Sequence, residues 1–221
     1  MGKKSNKAAV SITILALLIA AAVLATVVIL SSRGKKYDAA HFGIETYTSK
    51  TDRDGDGIDD QTDILQSVKR YLATEPKYKS VYYSDGGWPD DGYGVCTDVV
   101  ARGLLCAGYN LQTLVAKDRE EHPEDYKQDE KSDPNIDFRR VRNLLPYFKN
   151  NAISLTTDTS DIAAWQPGDI VVWDGHVGMI SENRNKKGVP YVYHHRGVSQ
   201  TEYEEDVLEK YGEILGHFRV S

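Results

Sequence analysis

The chain has 221 residues, with 27 basic and 33 acidic residues and a net charge of −6 at pH 7. That length allows one to two domains. The acidic balance argues against nucleic acid as a partner, because phosphate binding needs a basic face.

In chain order, the first feature is Lys3, Lys4 and Lys7 ahead of an uncharged apolar run from Ala8 to Ser32. At about 1.5 Å per residue such a run spans a hydrocarbon core of about 30 Å. It is longer than the roughly 7–15 apolar residues of a signal peptide. Residues 1–32 are therefore expected to form one transmembrane helix, a signal anchor that makes the membrane a partner. The lysines favour a cytoplasmic N-terminus and a single-pass protein with its main domain outside. The alternative is secretion after signal cleavage. Beyond Lys7, 24 basic residues face 33 acidic ones, a net −9, which fits a soluble domain beyond a membrane.

Residues 33–58 read as a tether that ends in an aspartate-rich loop. Asp52-x-Asp54-x-Asp56-Gly57 places carboxylates at positions 1, 3 and 5 and glycine at 6, with Asp60 and Asp63 at 9 and 12. That is the ligand spacing of a twelve-residue calcium loop, so structural Ca²⁺ at Asp52, Asp54, Asp56, Asp60 and Asp63 is the expectation. The alternative is an acidic linker that caps the next helix.

Ile64, Leu65, Val68, Tyr71 and Leu72 follow at helical spacing, bounded by Pro76. Tyr82 to Gly94 is a Gly-, Tyr- and Asp-rich loop, in which Trp88 and Tyr93 are candidates to line a substrate cleft. A glycine-rich approach then runs into Cys96 and an apolar stripe of Val99, Val100, Leu104 and Ala107, stopped by Gly108. A thiol at a helix start meets unpaired N–H groups and the positive end of the helix dipole. Such a placement lowers a cysteine pKa to roughly 3.5–7.5. Geometry argues against a disulfide to Cys106: if Thr97 to Ala107 is helical, ten residues separate the sulfurs by about 15 Å, and a disulfide needs Cα atoms roughly 4.4–6.8 Å apart. Cys106 is expected to be a small buried apolar residue.

A short helix over 111–117 and a charged loop over 118–137 come next. A helix marked by Phe138, Val141, Leu144, Leu145 and Phe148 follows, with Asp137 a candidate cap and Pro146 a candidate kink. Arg139 or Arg140 is a candidate for bidentate binding of a substrate carboxylate. From Trp165 the period changes to strands: Ile170–Trp173, a turn at Asp174-Gly175, a returning strand from His176 to Ser181, a third at Tyr191–His194, and a closing strand near 216–220. Helices first and an antiparallel meander after them make an α+β fold.

Cys96 and His176 form the catalytic candidate, with the thiol attacking a carbonyl and the imidazole moving its proton. Backbone N–H groups at the helix start would hold the oxyanion. If Glu182 faces Val189 across the second turn, the pairing brings the Tyr193-His194-His195 strand beside His176. His194 is favoured as the residue that orients His176, with His195 the fallback.

These motifs carry a resemblance. Gly94-Val95-Cys96-Thr97-Asp98-Val99-Val100, Asp133 to Val141, Gln166-Pro167-Gly168-Asp169-Ile170-Val171 and Gly175-His176-Val177-Gly178-Met179-Ile180 resemble an uncharacterised family of bacterial envelope proteins. That family is a domain of unknown function similar to the NlpC-type, papain-like cysteine hydrolases. The resemblance covers roughly Asp59 to Ser221, so 59–221 is expected to be the hydrolase domain. It implies a papain-like fold, Cys96 as nucleophile, His176 as base and His194 as third residue. It also implies peptidoglycan or a cell-wall peptide as the partner, with no cofactor required for catalysis. The chain departs from the usual D-C-S-G of that superfamily: Val95 precedes the cysteine and Thr97-Asp98 follow it. The non-enzymatic alternative is a cell-wall binding module with a vestigial site; a third reading is acyl or amide transfer.

Overall fold

The computed structural model describes residues 14–15, 17–24, 34–127 and 131–221. Residues 14–15 and 17–24 are helical. Among the described residues no helix is long and apolar enough to cross a membrane, and most of the anchor expected over 1–32 lies outside them. The chain divides into two units, Met1–Lys36 and Tyr37–Ser221, and the second unit holds every element below.

Its helices are α1 (Asp60–Leu72), α2 (Cys96–Cys106), α3 (Leu111–Glu121), α4 (Pro134–Asp137) and α5 (Val141–Asn151). A small parallel pair joins β1 (Lys77–Tyr78) to β2 (Tyr93–Gly94). The main sheet has six antiparallel strands: β3 (Ile153–Ser154), β4 (Ile170–Trp173), β5 (His176–Arg184), β6 (Pro190–Tyr193), β7 (Glu204–Glu205) and β8 (Ile214–Arg219). Their order is β3-β8-β4-β5-β6-β7, so the fold is α+β, as expected. The closing strand does not extend the meander. It inserts beside β4, pairing Ile170 with Phe218 and Val171 with His217.

Strand alternation splits the side chains between two cores. Val172, Val177, Met179, Tyr193 and Phe218 pack with Ile64, Val68, Val99 and Leu104 of α1 and α2. Val171, Trp173, Ile180 and Val192 pack on the opposite face with Trp165 and Leu208. Both faces are thus covered, which is why every residue of β4 and β6 is buried. Even the turn into β4 is tied down: Asp169, fully buried, accepts from Gln61, Gln166, His217 and Arg219.

The segment expected as a tether is held to the domain from Tyr37 onward. Tyr37 exchanges backbone hydrogen bonds with Arg184, Tyr47 N–H donates to Gln166, and the Arg219 guanidinium stacks on Tyr47. The charged stretch expected as loop over 118–137 is partly helical. α3 runs on to Glu121, a 3₁₀ turn covers Pro123–Asp125, and Asp133 caps α4 by accepting from Asn135 N–H. Asp137 therefore does not cap the next helix; its carboxylate faces back to Ser132, Asp133 N–H and Arg140.

The α1–α2 contact depends on a close approach at Gly103. A Cβ there would lie 2.5 Å from Val68 Cγ2 and 3.2 Å from Met179 Sδ. Gly103→Val is expected to destabilise the fold by about 1–3 kcal/mol through overpacking, read as a lower urea midpoint with unchanged slope.

Candidate active site

Cys96 is the first residue of α2, and the backbone before it is extended at Val95. The turn into the helix is closed by Asp98, whose carboxylate accepts from Val95 N–H at 2.8 Å. The same carboxylate is gripped by Arg139, Nε to Oδ1 at 2.7 Å and Nη2 to Oδ2 at 3.0 Å, a bidentate pair. The two side chains are 2% and 0% exposed. Arg139 also donates to Val81 O, and Thr97 Oγ1 donates to Arg139 O. The helix start that carries the thiol is thereby bolted to the segment before α5.

Cys96 lies beside the β4–β5 hairpin. The backbone N–H of Val177, one residue beyond His176, points at its sulfur, as do those of Thr97 and Cys96 itself. Tyr211 stacks on the His176 ring, with centroids 4.3 Å apart, and also faces Cys96. Cys96 and His176 are therefore bridged at one end of the sheet by Val177 and Tyr211. A cleft of about 620 Å³ opens there, lined among others by Tyr78, Cys96, Arg140, Arg142, Trp173 and Leu215.

Behind His176 runs a polar chain. His176 Nε2 is 2.9 Å from His194 Nδ1, and His194 Nε2 is 2.9 Å from Glu205 Oε2. Arg196 closes the chain by donating to both Glu205 oxygens, at 3.0 and 3.3 Å. Of the two histidines left open by the sequence, His194 is the one that reaches His176. His195 turns the other way, its ring edge-on to Tyr78 and Tyr203. The register differs from the expected one. Met179 pairs with Tyr193 and Ile180 with Val192, and an irregularity before Arg184 absorbs the difference. Gly178 allows the fit, because a Cβ there would lie 2.5 Å from Val192 Cγ1 and 3.4 Å from His194 Cβ.

The electrostatics also differ from expectation. Burial pushes the Cys96 thiol up to about 11, against the pull of the Val177, Thr97 and Cys96 N–H groups. Burial, with His194 and Arg196, pushes His176 down to about 3. The helix start does favour a thiolate, but losing water around the sulfur outweighs it. At rest the Cys96 thiol and the His176 imidazole are both neutral.

Several expected site residues are placed elsewhere. Trp88 packs on Phe138 and donates to Gln112, and Tyr93 lies under Lys79; neither lines the cleft. Both arginines border the cleft; the Arg139 guanidinium is committed to Asp98, and Arg140 Nη1 donates to Asp137 at 3.1 Å. Cys106 is exposed rather than buried. In the aspartate loop, carboxylate oxygens of Asp52, Asp54 and Asp56 come within 4.8 Å of one another. Asp60 instead accepts from Tyr109 and Arg53 N–H, and Asp63 from Ser67 and Arg70. The five-carboxylate set is therefore not assembled, because its last two members sit inside α1 and face the core. Asp98, Glu205, Arg196 and Tyr211 were missed. The Asp98 spacing, three residues after the cap position, was the one local signal available.

Two measurements follow. Arg139→Met leaves Asp98 buried without its partner and is expected to cost about 3–5 kcal/mol in denaturant unfolding. Because the folded-state pKa of His176 lies below its ordinary 6.5, the unfolded chain binds more protons between pH 6.5 and about 3. Stability is then complete above that window and is lost as pH falls through it. His176→Asn is expected to flatten that slope in melting curves.

Residues 62–220 match the family model described as "Domain of unknown function (DUF1287)". A curated relative, the Uncharacterized protein YijF of Escherichia coli (strain K12), is 35% identical over 163 residues, which is 70% of this chain and 77% of that protein. No solved structure matches. With most of the helical layer, the whole six-stranded sheet and both halves of the thiol–imidazole site inside the matched span, the chain belongs to the DUF1287 family.

Proposed function

We propose that this protein is an extracytoplasmic thiol hydrolase of the NlpC-like, papain-like kind, held at the cell membrane by its N-terminal segment and cleaving a peptide or amide bond in cell-wall peptidoglycan. The observation that carries the reading is the placement of Cys96 at a helix start against Val177 N–H, with His176 hydrogen-bonded to His194 on the adjoining strand. Cys96 Sγ attacks the carbonyl carbon in the cleft. His176 takes the thiol proton as the bond forms and returns it to the leaving amine. No ion pair forms beforehand, since burial keeps both partners neutral. The Cys96 and Thr97 N–H groups receive the developing oxyanion. Arg140 and Arg142 on the cleft wall suit a substrate with carboxylates.

A second reading, a wall-binding module without turnover, is favoured by the same burial of the thiol. One assay separates the two. Purified full-length protein and Cys96→Ala are incubated with peptidoglycan, and soluble muropeptides are counted. Release by the wild type alone is the expected result. Equal release by both, or binding to sacculi with release by neither, overturns the hydrolase reading. Adding amine acceptors to the assay detects acyl transfer.

The proton inventory adds a pH signature. A histidine base with its ordinary pKa of about 6.5 would lose about 25-fold in kcat/KM between pH 7 and 5. With His176 pushed down to about 3, the acid limb is expected to stay flat over that range while the protein remains folded.

We also propose that a calcium ion at Asp52, Asp54 and Asp56 serves stability rather than catalysis, with carbonyls and water completing its six to eight oxygens. Added calcium is expected to raise the melting temperature of the wild type and not of Asp54→Ala/Asp56→Ala.

A further inference from the structure

Glu205 has no part in the reaction written above, yet it ends the buried chain behind His176. β7 pairs with β6 so that Glu205 faces Val192. Its side chain therefore lies on the sheet face shared by Trp173, Ile180 and Val192. There Oε2 meets His194 Nε2 at 2.9 Å, while Arg196 claims both oxygens from the other side. We propose that Glu205 is the positioning residue that sets the tautomer of both histidines, so that His176 keeps an unprotonated Nδ1 free to act as base. The purpose of this arrangement rests on the thiol-hydrolase reading; the geometry does not.

The tautomers follow from a proton count along two hydrogen bonds. An ionised carboxylate can only accept, so the contact at His194 Nε2 requires a proton on that nitrogen. Burial holds His194 below its ordinary pKa. It is therefore neutral and carries one ring proton, and its Nδ1 is bare. The 2.9 Å contact from His194 Nδ1 to His176 Nε2 must then be donated by His176. His176 is also neutral and has spent its single proton on Nε2. Its Nδ1 is left as a lone pair, the form that can accept a thiol proton. Each assignment forces the next, and the first is made by Glu205. Arg196 supports it by holding both carboxylate oxygens in place.

Glu205→Leu reverses the count. With the acceptor gone, the released Arg196 guanidinium, which can only donate, is the polar group left beside His194 Nε2. His194 must then carry its proton on Nδ1 and donate to His176 Nε2. His176 in turn becomes Nδ1-protonated and useless as a base. Glu205→Asp keeps a carboxylate and keeps the original sense.

The test is long-range ¹H–¹⁵N correlation of the ring nitrogens in full-length protein, with the six histidines assigned by single His→Asn variants. Expected in the wild type and in Glu205→Asp is a proton on Nε2 of both His176 and His194. Expected in Glu205→Leu is a proton on Nδ1 of both. Muropeptide release by Glu205→Leu should fall about 10- to 100-fold in kcat, with KM unchanged, and Glu205→Asp should recover most of it. A proton on His176 Nδ1 in the wild type overturns the proposal, and so do unchanged tautomers in Glu205→Leu. If Glu205→Leu does not fold, the wild-type and Glu205→Asp spectra still decide. If the wild type releases no muropeptide, the hydrolase reading fails while the tautomer result stands on its own.

Discussion

The buried pairing of Asp98 with Arg139 is the contact on which the rest of the site depends. A carboxylate at 0% exposure and a guanidinium at 2% are tolerable inside a protein only when each satisfies the other and the remaining lone pairs and protons find partners. Here Asp98 also takes Val95 N–H, and Arg139 also reaches Val81 O. One pair therefore fixes the entry to α2, the chain before β2 and the start of the segment leading into α5. The thiol of Cys96 inherits its position from that junction.

A second constraint is the use of both sheet faces. The helix that bears Cys96 packs on the face of Val177 and Met179. The histidine chain occupies the face of Ile180 and Val192. The two meet because His176 is the first residue of β5, at the sheet end, where Val177 N–H can turn toward the sulfur. Gly178 keeps the space through which β6 brings His194 close. Burial that makes this arrangement rigid also removes water from the sulfur and the imidazole, and so keeps both neutral. Any catalysis at this site must move the proton during attack rather than before it.

Much of this was legible in the chain. The change of period from 3.6 to 2 near Trp165 is a local property of side-chain order, and it announced α+β correctly. Gly-Val-Cys before an apolar stripe marked a helix start, and Asp174-Gly175 marked the hairpin, because turn and cap chemistry act over a few residues. The site was half legible for the same reason. Cys96 and His176 each sit in a local motif, whereas Glu205 and Tyr211 lie in stretches with no periodicity. Trp88 and Tyr93 show the opposite error: their loop does pass near the site, but its aromatics point at Phe138 and Lys79 instead of the cleft.

By itself the sequence determined the elements, the thiol at a helix start, the histidine on a returning strand, and the family to which the chain belongs. Only the tertiary structure decided between His194 and His195, because a shift of one residue in register reverses which side chain faces His176. It alone set the sign of the Cys96 shift, since the helix dipole is written in local order but loss of water depends on everything packed around the sulfur. It also took Asp60 and Asp63 out of the aspartate loop, because α1 turns them toward Tyr109 and Ser67. Spacing along a chain states which groups can meet; the packing of distant segments states which of them do.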